Sequence, residues 1–220
     1  MMKLSESFLA ALADVLGPNG LRCDDVAGTI DPGMDPRNLD AGVLALPAST
    51  QEVQALVRLC VEHGVTIVPQ GGRTGLAGGA QSQPGQLIVA TTKMNKIVEV
   101  DPKGATAVVE AGVVLSALQE EAAEHGLSTA IDLGARDSAT IGGLISTNAG
   151  GIEAFRFGTM RHRILGIEAV LPSGEIVSDL KRVVKANEGY DIKQLLIGAE
   201  GTLGIVTRAV VNLVPLDGET

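Results

Sequence analysis

The chain has 220 residues, 45% of them apolar, with 28 glycines, three Phe, one Tyr and no Trp. That content excludes a disordered chain and calls for an aliphatic core. The formal net charge of −9 excludes a nucleic-acid footprint and docking on an anionic membrane surface, and no apolar run approaches the roughly 18 residues of a membrane span.

In chain order, the first segment (MMKLSESFLAALADVLG) is an acidic amphipathic helix with Phe8, Leu9, Leu12, Val15 and Leu16 on one side. It lacks the continuous apolar stretch of a signal peptide. Cys23 and Cys60 form no C-x-x-C pair, so they read as idle or buried thiols, and a cytoplasmic location is expected. PASTQEVQALVRLCVEHG is the clearest helix. Ser49 and Glu52 are spaced as a capping box, Val53, Leu56, Val57, Cys60 and Val61 make one buried face, and Gly64 ends it as a left-handed cap. VTIVP is then a short buried strand that runs into VPQGGRTGLAGGA. Further strands are expected at Leu87–Ala90 and Lys96–Val100, followed by a turn at Asp101-Pro-Lys-Gly104. Beyond the turn, ATAVVEAG reads as a strand, VLSALQEEAAEHG as a helix ending at Gly126, and ILGIEAVLPSGEIV as a hairpin turning at Ser173-Gly174. IGAEGTLGIVTRAVVNLVP closes as a glycine loop leading into a long strand. The expected organisation is an N-terminal helix and lead-in (1–40), a first α/β lobe (41–102), a second α+β lobe (103–215) and the start of a linker (216–220).

The glycine loop is the informative feature. Ordered glycine backbone is entropically costly and is used where another group must approach the main chain closely. A P-loop needs a Lys after its last glycine, and Gly71 to Ala80 contains none; a Rossmann loop needs two glycines two positions apart, which this loop lacks. Two readings remain, a nest of backbone N–H groups closed around a phosphate and a plain flexible loop. The buried strand before the loop and the glycine clusters downstream weigh toward the nest. No His/Cys/Glu set has metal spacing, and no Ser-His-Asp constellation can be assembled.

Four passages in this order, VPQGGRTGLAGG, DLGARDSATIGGLISTNAGG, FRFGTMRHRILGIEAVLPSG and NEGYDIKQLLIGAEGTLGIVT, resemble the FAD-binding (PCMH-type) domain of vanillyl-alcohol-oxidase-type flavoproteins. They are most similar to the branch of FAD-linked 2-hydroxy-acid dehydrogenases (D-lactate and D-2-hydroxyglutarate dehydrogenase, and the flavin subunit of glycolate oxidase), over about Leu44 to Pro215. The resemblance implies a two-lobed α+β domain with noncovalent FAD extended between the lobes. It assigns Pro69, Gly71, Gly72, Arg73, Thr74, Gly75, Leu76 and Gly78 to the FAD pyrophosphate. Relatives often carry Asn where Arg73 stands, and this side chain either pairs with a phosphate or is solvated. Gly134, Asp137, Ser138, Thr140, Ile141, Gly142, Gly143, Asn148, Ala149, Gly150 and Gly151 match the passage along the ribityl chain and flavin ring. There Ser138, Thr140 and Asn148 offer neutral donors and acceptors, and the helix beginning near Ile141 aims its positive end at the cofactor; the alternative is a helix cap. Glu200, Gly201, Gly204 and Ile205 match the adenine and ribose side, where Glu200 either accepts from ribose hydroxyls or marks a turn.

His63 and His125 sit at helix C-termini in structural roles, and His162 lies among Arg156, Arg161 and Arg163. None of the three matches a family site of covalent FAD attachment. The arginines form a solvated face or greet an anionic substrate or a partner domain. The resemblance further implies a small 2-hydroxy acid as substrate, an electron acceptor, and a C-terminal substrate domain or separate subunit that would hold the substrate, with no catalytic acid or base in these residues. The segment from Thr29 to Val43 is shorter than its family counterpart, which usually carries an aromatic and basic stretch near the flavin. Two other classes are weighed: a flavin-binding module without turnover, and an NADPH-dependent reductase of the same fold, such as the one in peptidoglycan precursor synthesis.

Overall fold

The structure, a computed structural model, describes residues 4–23 and 25–216, so most of the expected linker start at 216–220 lies outside the described residues. The elements run α1 (Glu6–Leu16), β1 (Leu21–Arg22), α2 (Val26–Thr29), β2 (Leu44–Ala45), α3 (Thr50–His63), β3 (Ile67–Gln70), β4 (Leu87–Ala90), β5 (Ile97–Asp101), β6 (Thr106–Glu110), α4 (Leu115–Glu124) and β7 (Leu127–Ser128). They continue as α5 (Ile141–Thr147), α6 (Ala154–Phe157), α7 (Met160–Arg163), β8 (Ile164–Val170), β9 (Ile176–Asp179), α8 (Lys193–Leu196), β10 (Ile205–Asn212) and β11 (Val214–Pro215). Single turns of 3₁₀ helix cover Pro36–Leu39 and Thr91–Lys93.

The first sheet has the order β1-β2-β4-β3, with β2, β4 and β3 parallel. α1 and α3 cover one face. The Ser5 hydroxyl accepts from Phe8 N–H at 3.2 Å to start α1, and Phe8 and Leu12 are fully buried against Val53, Leu56, Val57 and Cys60 of α3. Burial of such a side chain contributes about 1.5–3 kcal/mol. α3 is capped as expected by Ser49, which accepts from Glu52 N–H at 3.1 Å, and Gly64 adopts φ 67°. Two details differ. The Glu52 carboxylate accepts from Ala48 N–H at 2.8 Å instead of the cap residue's own amide, and Val61 is exposed because α3 buries a narrower stripe than its apolar period suggests.

The second sheet is antiparallel, ordered β5-β6-β10-β8-β9, with α4 and α5 on its core face. β5 lies where the sequence places it but pairs with β6, so the turn at Asp101–Gly104, expected between lobes, is a hairpin within this sheet. The β8–β9 hairpin turns at Ser173 and Gly174 as expected, with Gly174 at φ 78°. Val170 and Ile205 from this sheet pack into the core of the first one. Glu168, buried on β8, accepts from Thr50 Oγ1 (2.7 Å) at the start of α3, Thr207 Oγ1 (3.0 Å) on β10 and Ser178 Oγ (3.3 Å) on β9. One carboxylate thereby fastens the first helix layer to the second sheet.

β3 and β4 are parallel neighbours, and parallel neighbours need a crossover. Here the crossover contains no helix: it is the glycine loop, leaving the carboxyl end of β3. β3 is an edge strand, the place in a sheet where Pro69 costs no ladder bond.

Candidate functional site

Three glycine-bearing segments meet at the carboxyl ends of β3 and β4, where open α/β sheets place their ligands. A Cβ at Gly72 would overlap the Ser138 carbonyl, and one at Gly71 would overlap Thr140 Oγ1, so the loop's main chain lies directly on the second segment. Gly201 faces Pro69 with 2.8 Å from a would-be Cβ to Cγ, and Gly79 faces the Glu200 carboxylate at 2.6 Å. Glu200 N–H donates to the Ser146 carbonyl (2.8 Å) and Gly198 N–H to the Ile145 carbonyl (3.0 Å), which ties the third segment to α5. Most of these glycines are therefore required by contact between the loops themselves. Gly75 is different, with open space around it and no left-handed φ.

Between the segments lies a cleft of about 440 Å³, lined by Pro69–Ala77, Gly79, Ala80 and Thr91, by residues of 133–149, and by Glu200, Gly201 and Gly204–Val206. Its lining carries just two charged side chains, Arg73 and Glu200. From Gly72 through Ala80 no backbone N–H donates to another described residue. The loop's carbonyls do the fastening instead: Arg73 O accepts from Met34 N–H (3.1 Å), Gly78 O from Gln81 N–H (3.0 Å) and Ala80 O from Gln70 Nε2 (2.7 Å). Amides without a protein partner beside a cleft are available to an anion.

Residues 41–198 match the family model described as FAD binding domain. The chain belongs to that family. Over 170 residues it is 44% identical to the D-2-hydroxyglutarate dehydrogenase of Xanthomonas citri, a match that covers 77% of this chain and 36% of the relative. Over 184 residues it is 39% identical to the D-lactate dehydrogenase of Archaeoglobus fulgidus, covering 84% of this chain and 41% of the relative. It thus spans about two fifths or less of the length of these curated relatives. A solved alkyldihydroxyacetonephosphate synthase shares the fold, with TM-score 0.83 and 24% identity over 97% of this chain and 41% of that one. The α+β architecture expected from the sequence is the architecture of these FAD-binding domains.

The residues present fit FAD. The free amides suit a pyrophosphate. Gln70, 4% exposed and lining the cleft, carries an Oε1 with no donor among the described residues, an acceptor left over for a hydroxyl or N–H. Of the residues the sequence singles out, Pro69, Gly71–Leu76, Thr140, Gly142, Gly143, Ala149, Glu200, Gly201, Gly204 and Ile205 line the cleft.

The rest take other positions. Gly78 makes the left-handed corner before Gln81, and Gly134 stands exposed in open space. Asp137 and Ser138 are exposed, Ser138 meeting the loop through its carbonyl. Ile141 is core beneath α5, Gly150 abuts Ala154, and Gly151 backs onto the Asp132 carbonyl at φ 139°. Asn148 ends α5 in the left-handed region, and its Oδ1 accepts from Arg161 N–H at 3.0 Å. Thr140 caps α5, accepting from Gly143 N–H at 3.4 Å. The first amides of α5 are engaged as well, Ile141 with Val113 O (2.8 Å) and Gly142 with Ala111 O (2.7 Å). Thr140 and Asn148 thus form the two ends of α5, and the helix's first backbone amides are engaged within the protein.

Arg73 is half-buried: its Nε donates to Asp31 O at 2.9 Å, its backbone has φ 54°, and burial pulls its guanidinium below the ordinary range. Asn tolerates that left-handed geometry better than most residues. In the basic cluster, Arg161 donates to the Gln194 and Ile197 carbonyls, Arg156 is exposed with its guanidinium 4.6 Å from the centre of the Phe157 ring, and Arg163 carries a buried Nε and Nη1 with no hydrogen-bond partner among the described residues. His63 packs on Phe8, His125 sits 3.6 Å from Glu121, and His162 accepts from Thr159 N–H, all structural contacts. Gln70, Ala77, Gly79, Ala80, Thr91, Leu133, Ala135, Ala139, Leu144, Ser146, Thr147 and Val206 also line the cleft without having been singled out. Thr91 follows β4, and the carboxyl-end rule applied to that strand would have found it; Ser146 and Thr147 needed the fold.

Proposed function

We propose that this FAD-binding domain holds FAD noncovalently across the cleft as part of an enzyme that oxidises a small 2-hydroxy acid of the D-lactate, D-2-hydroxyglutarate or glycolate type. The observation that carries the reading is the run of partnerless amides from Gly72 to Ala80 beside a buried, partnerless acceptor on Gln70. In this reading those amides take the pyrophosphate, residues of 138–149 flank the ribityl and ring end, and Glu200 to Ile205 take the ribose and adenine side. FAD, when bound, supplies the hydride acceptor, at its N5, for oxidation of the carbinol carbon. The chain's own part is binding and orientation. In this reading no catalytic acid or base is assigned to this chain, a C-terminal substrate domain or separate subunit holds the hydroxy acid, and an external acceptor takes the electrons. The names of the D-2-hydroxyglutarate and D-lactate dehydrogenase relatives support this substrate class. A cytoplasmic location is part of this reading, and no helix among the described residues is long and apolar enough to cross a membrane.

The test is anaerobic mixing of the flavin-loaded full-length protein with D-lactate, D-2-hydroxyglutarate and glycolate. Bleaching of the flavin band by one of them supports the enzymatic reading. A band that persists with all three, in protein that binds FAD, leaves a flavin-binding module without this activity.

A further inference from the structure

The loop from Gly72 to Ala80 has glycines in abundance and no amide bonds to hold it, so on its own it would sample many shapes. It is gripped from outside at both shoulders by one segment, Asp31 to Asn38. At the first shoulder Arg73 O accepts from Met34 N–H (3.1 Å), Arg73 Nε donates to Asp31 O (2.9 Å), and Gly33, at φ 69°, lies so close that a Cβ would overlap the Arg73 carbonyl. At the second, Gln81 Nε2 donates to Asp35 Oδ2 (2.8 Å), Ser82 N–H to Arg37 O (3.0 Å), and Ser82 Oγ to Asn38 O (3.0 Å). Gln70 closes the base, its Nε2 shared between Asn38 O (2.6 Å) and Ala80 O (2.7 Å). The shortened lead-in is a brace spanning the mouth of the loop.

We propose that Asp31–Asn38 is a strap that sets the shape of the amide cradle in advance, and that Gly33, Asp35 and Gln81 are positioning residues that act on the ligand through it. The inference rests on the cofactor reading above. A receptor ordered before binding loses less conformational freedom when the ligand arrives, so strap contacts raise affinity without touching the ligand. Hydrogen bonds from Arg37 hold the Asp35 carboxyl down at about 2, which keeps it charged and bonded to Gln81 at ordinary pH. Neither Gly33 nor Gln81 lines the cleft.

The test uses Gly33→Ala, which pushes the strap off Arg73, and Gln81→Met, which removes the donor to Asp35 at similar volume. FAD affinity by flavin fluorescence quenching is expected to fall about tenfold in each variant, corresponding to loss of one charge-assisted contact. Trypsin supplies an independent readout, since Arg73 is the sole Lys or Arg between Arg58 and Lys93. Cleavage after Arg73 is expected to accelerate several-fold in both variants, with cleavage elsewhere little changed and the melting temperature held in Gln81→Met, while Gly33→Ala, with φ 69° and the backbone overlap, melts a few degrees lower. Wild-type affinity and wild-type protection at Arg73 in both folded variants would overturn the strap. If the wild type fails to bind FAD, the cofactor reading falls, and the trypsin comparison still decides whether the segment orders the loop.

Discussion

The α-carbon of Gly72 lies so close to the Ser138 carbonyl that no side chain can stand between them. Gly72→Ala therefore must part the first two segments of the cleft, at a cost of about 1–3 kcal/mol for overpacking. Gly75, three residues on, meets nothing within 4 Å. Gly75→Ala is expected to fold with wild-type stability yet bind FAD at least several-fold more weakly, because in the proposed reading the bare backbone there faces the ligand and no protein contact needs it. Thermal melts and FAD titration of the two variants separate the two uses of glycine in one loop.

Glu168 joins three hydroxyls from three elements, and two of them, on Thr50 and Thr207, are buried. Glu168→Ala leaves the Thr50 hydroxyl without its acceptor, while Thr207 Oγ1 keeps the Glu168 carbonyl at 3.3 Å, so the cost is about 1–3 kcal/mol, or roughly 2–10 °C in melting temperature for a chain of this size. Differential scanning calorimetry measures it; an unchanged melt would show that the packing of Val170 and Ile205 alone holds the two sheets together.

What was legible in the sequence was local. α3 announced itself through Ser49, an apolar period and Gly64, and the β8–β9 hairpin through Ser173-Gly174, since each signal lies within the element it marks. The cleft was legible because glycine clusters are rare enough to stand out. Pairing was not: β5 has the same strand pattern whichever sheet it joins, and its partner is decided by packing far away in the chain. The strap read as lead-in because Asp31, Gly33 and Asn38 act mostly through carbonyls and close approach, which leave no side-chain signature. The amides of α5 looked available because their partners, Ala111 and Val113, come from a separate stretch of chain.

Burial pushes the Cys60 thiol up to about 12, from an ordinary 9.0. The folded chain holds that proton where the unfolded chain has lost it, so this contribution is complete below pH 9.0 and is lost as pH rises toward 12. Melting temperature is expected to fall over that window, and to fall less in Cys60→Ala. At pH 8 a thiol reagent should spare buried Cys60 until the chain is unfolded.

With noncovalent cofactor, precipitation of the flavin-loaded protein in trichloroacetic acid is expected to leave the yellow colour in the supernatant. A yellow pellet would mean a covalent bond that none of the three histidines was assigned to make.

The most direct measurement is the visible spectrum of the purified chain titrated with FAD. With one Tyr and no Trp the protein absorbs weakly in the near ultraviolet, so bound flavin stands out clearly. Expected is a saturable shift of the flavin band at one FAD per chain, with a higher melting temperature. A folded chain that leaves the flavin spectrum and its own melt unchanged would contradict the claim that the three segments form one nucleotide cradle.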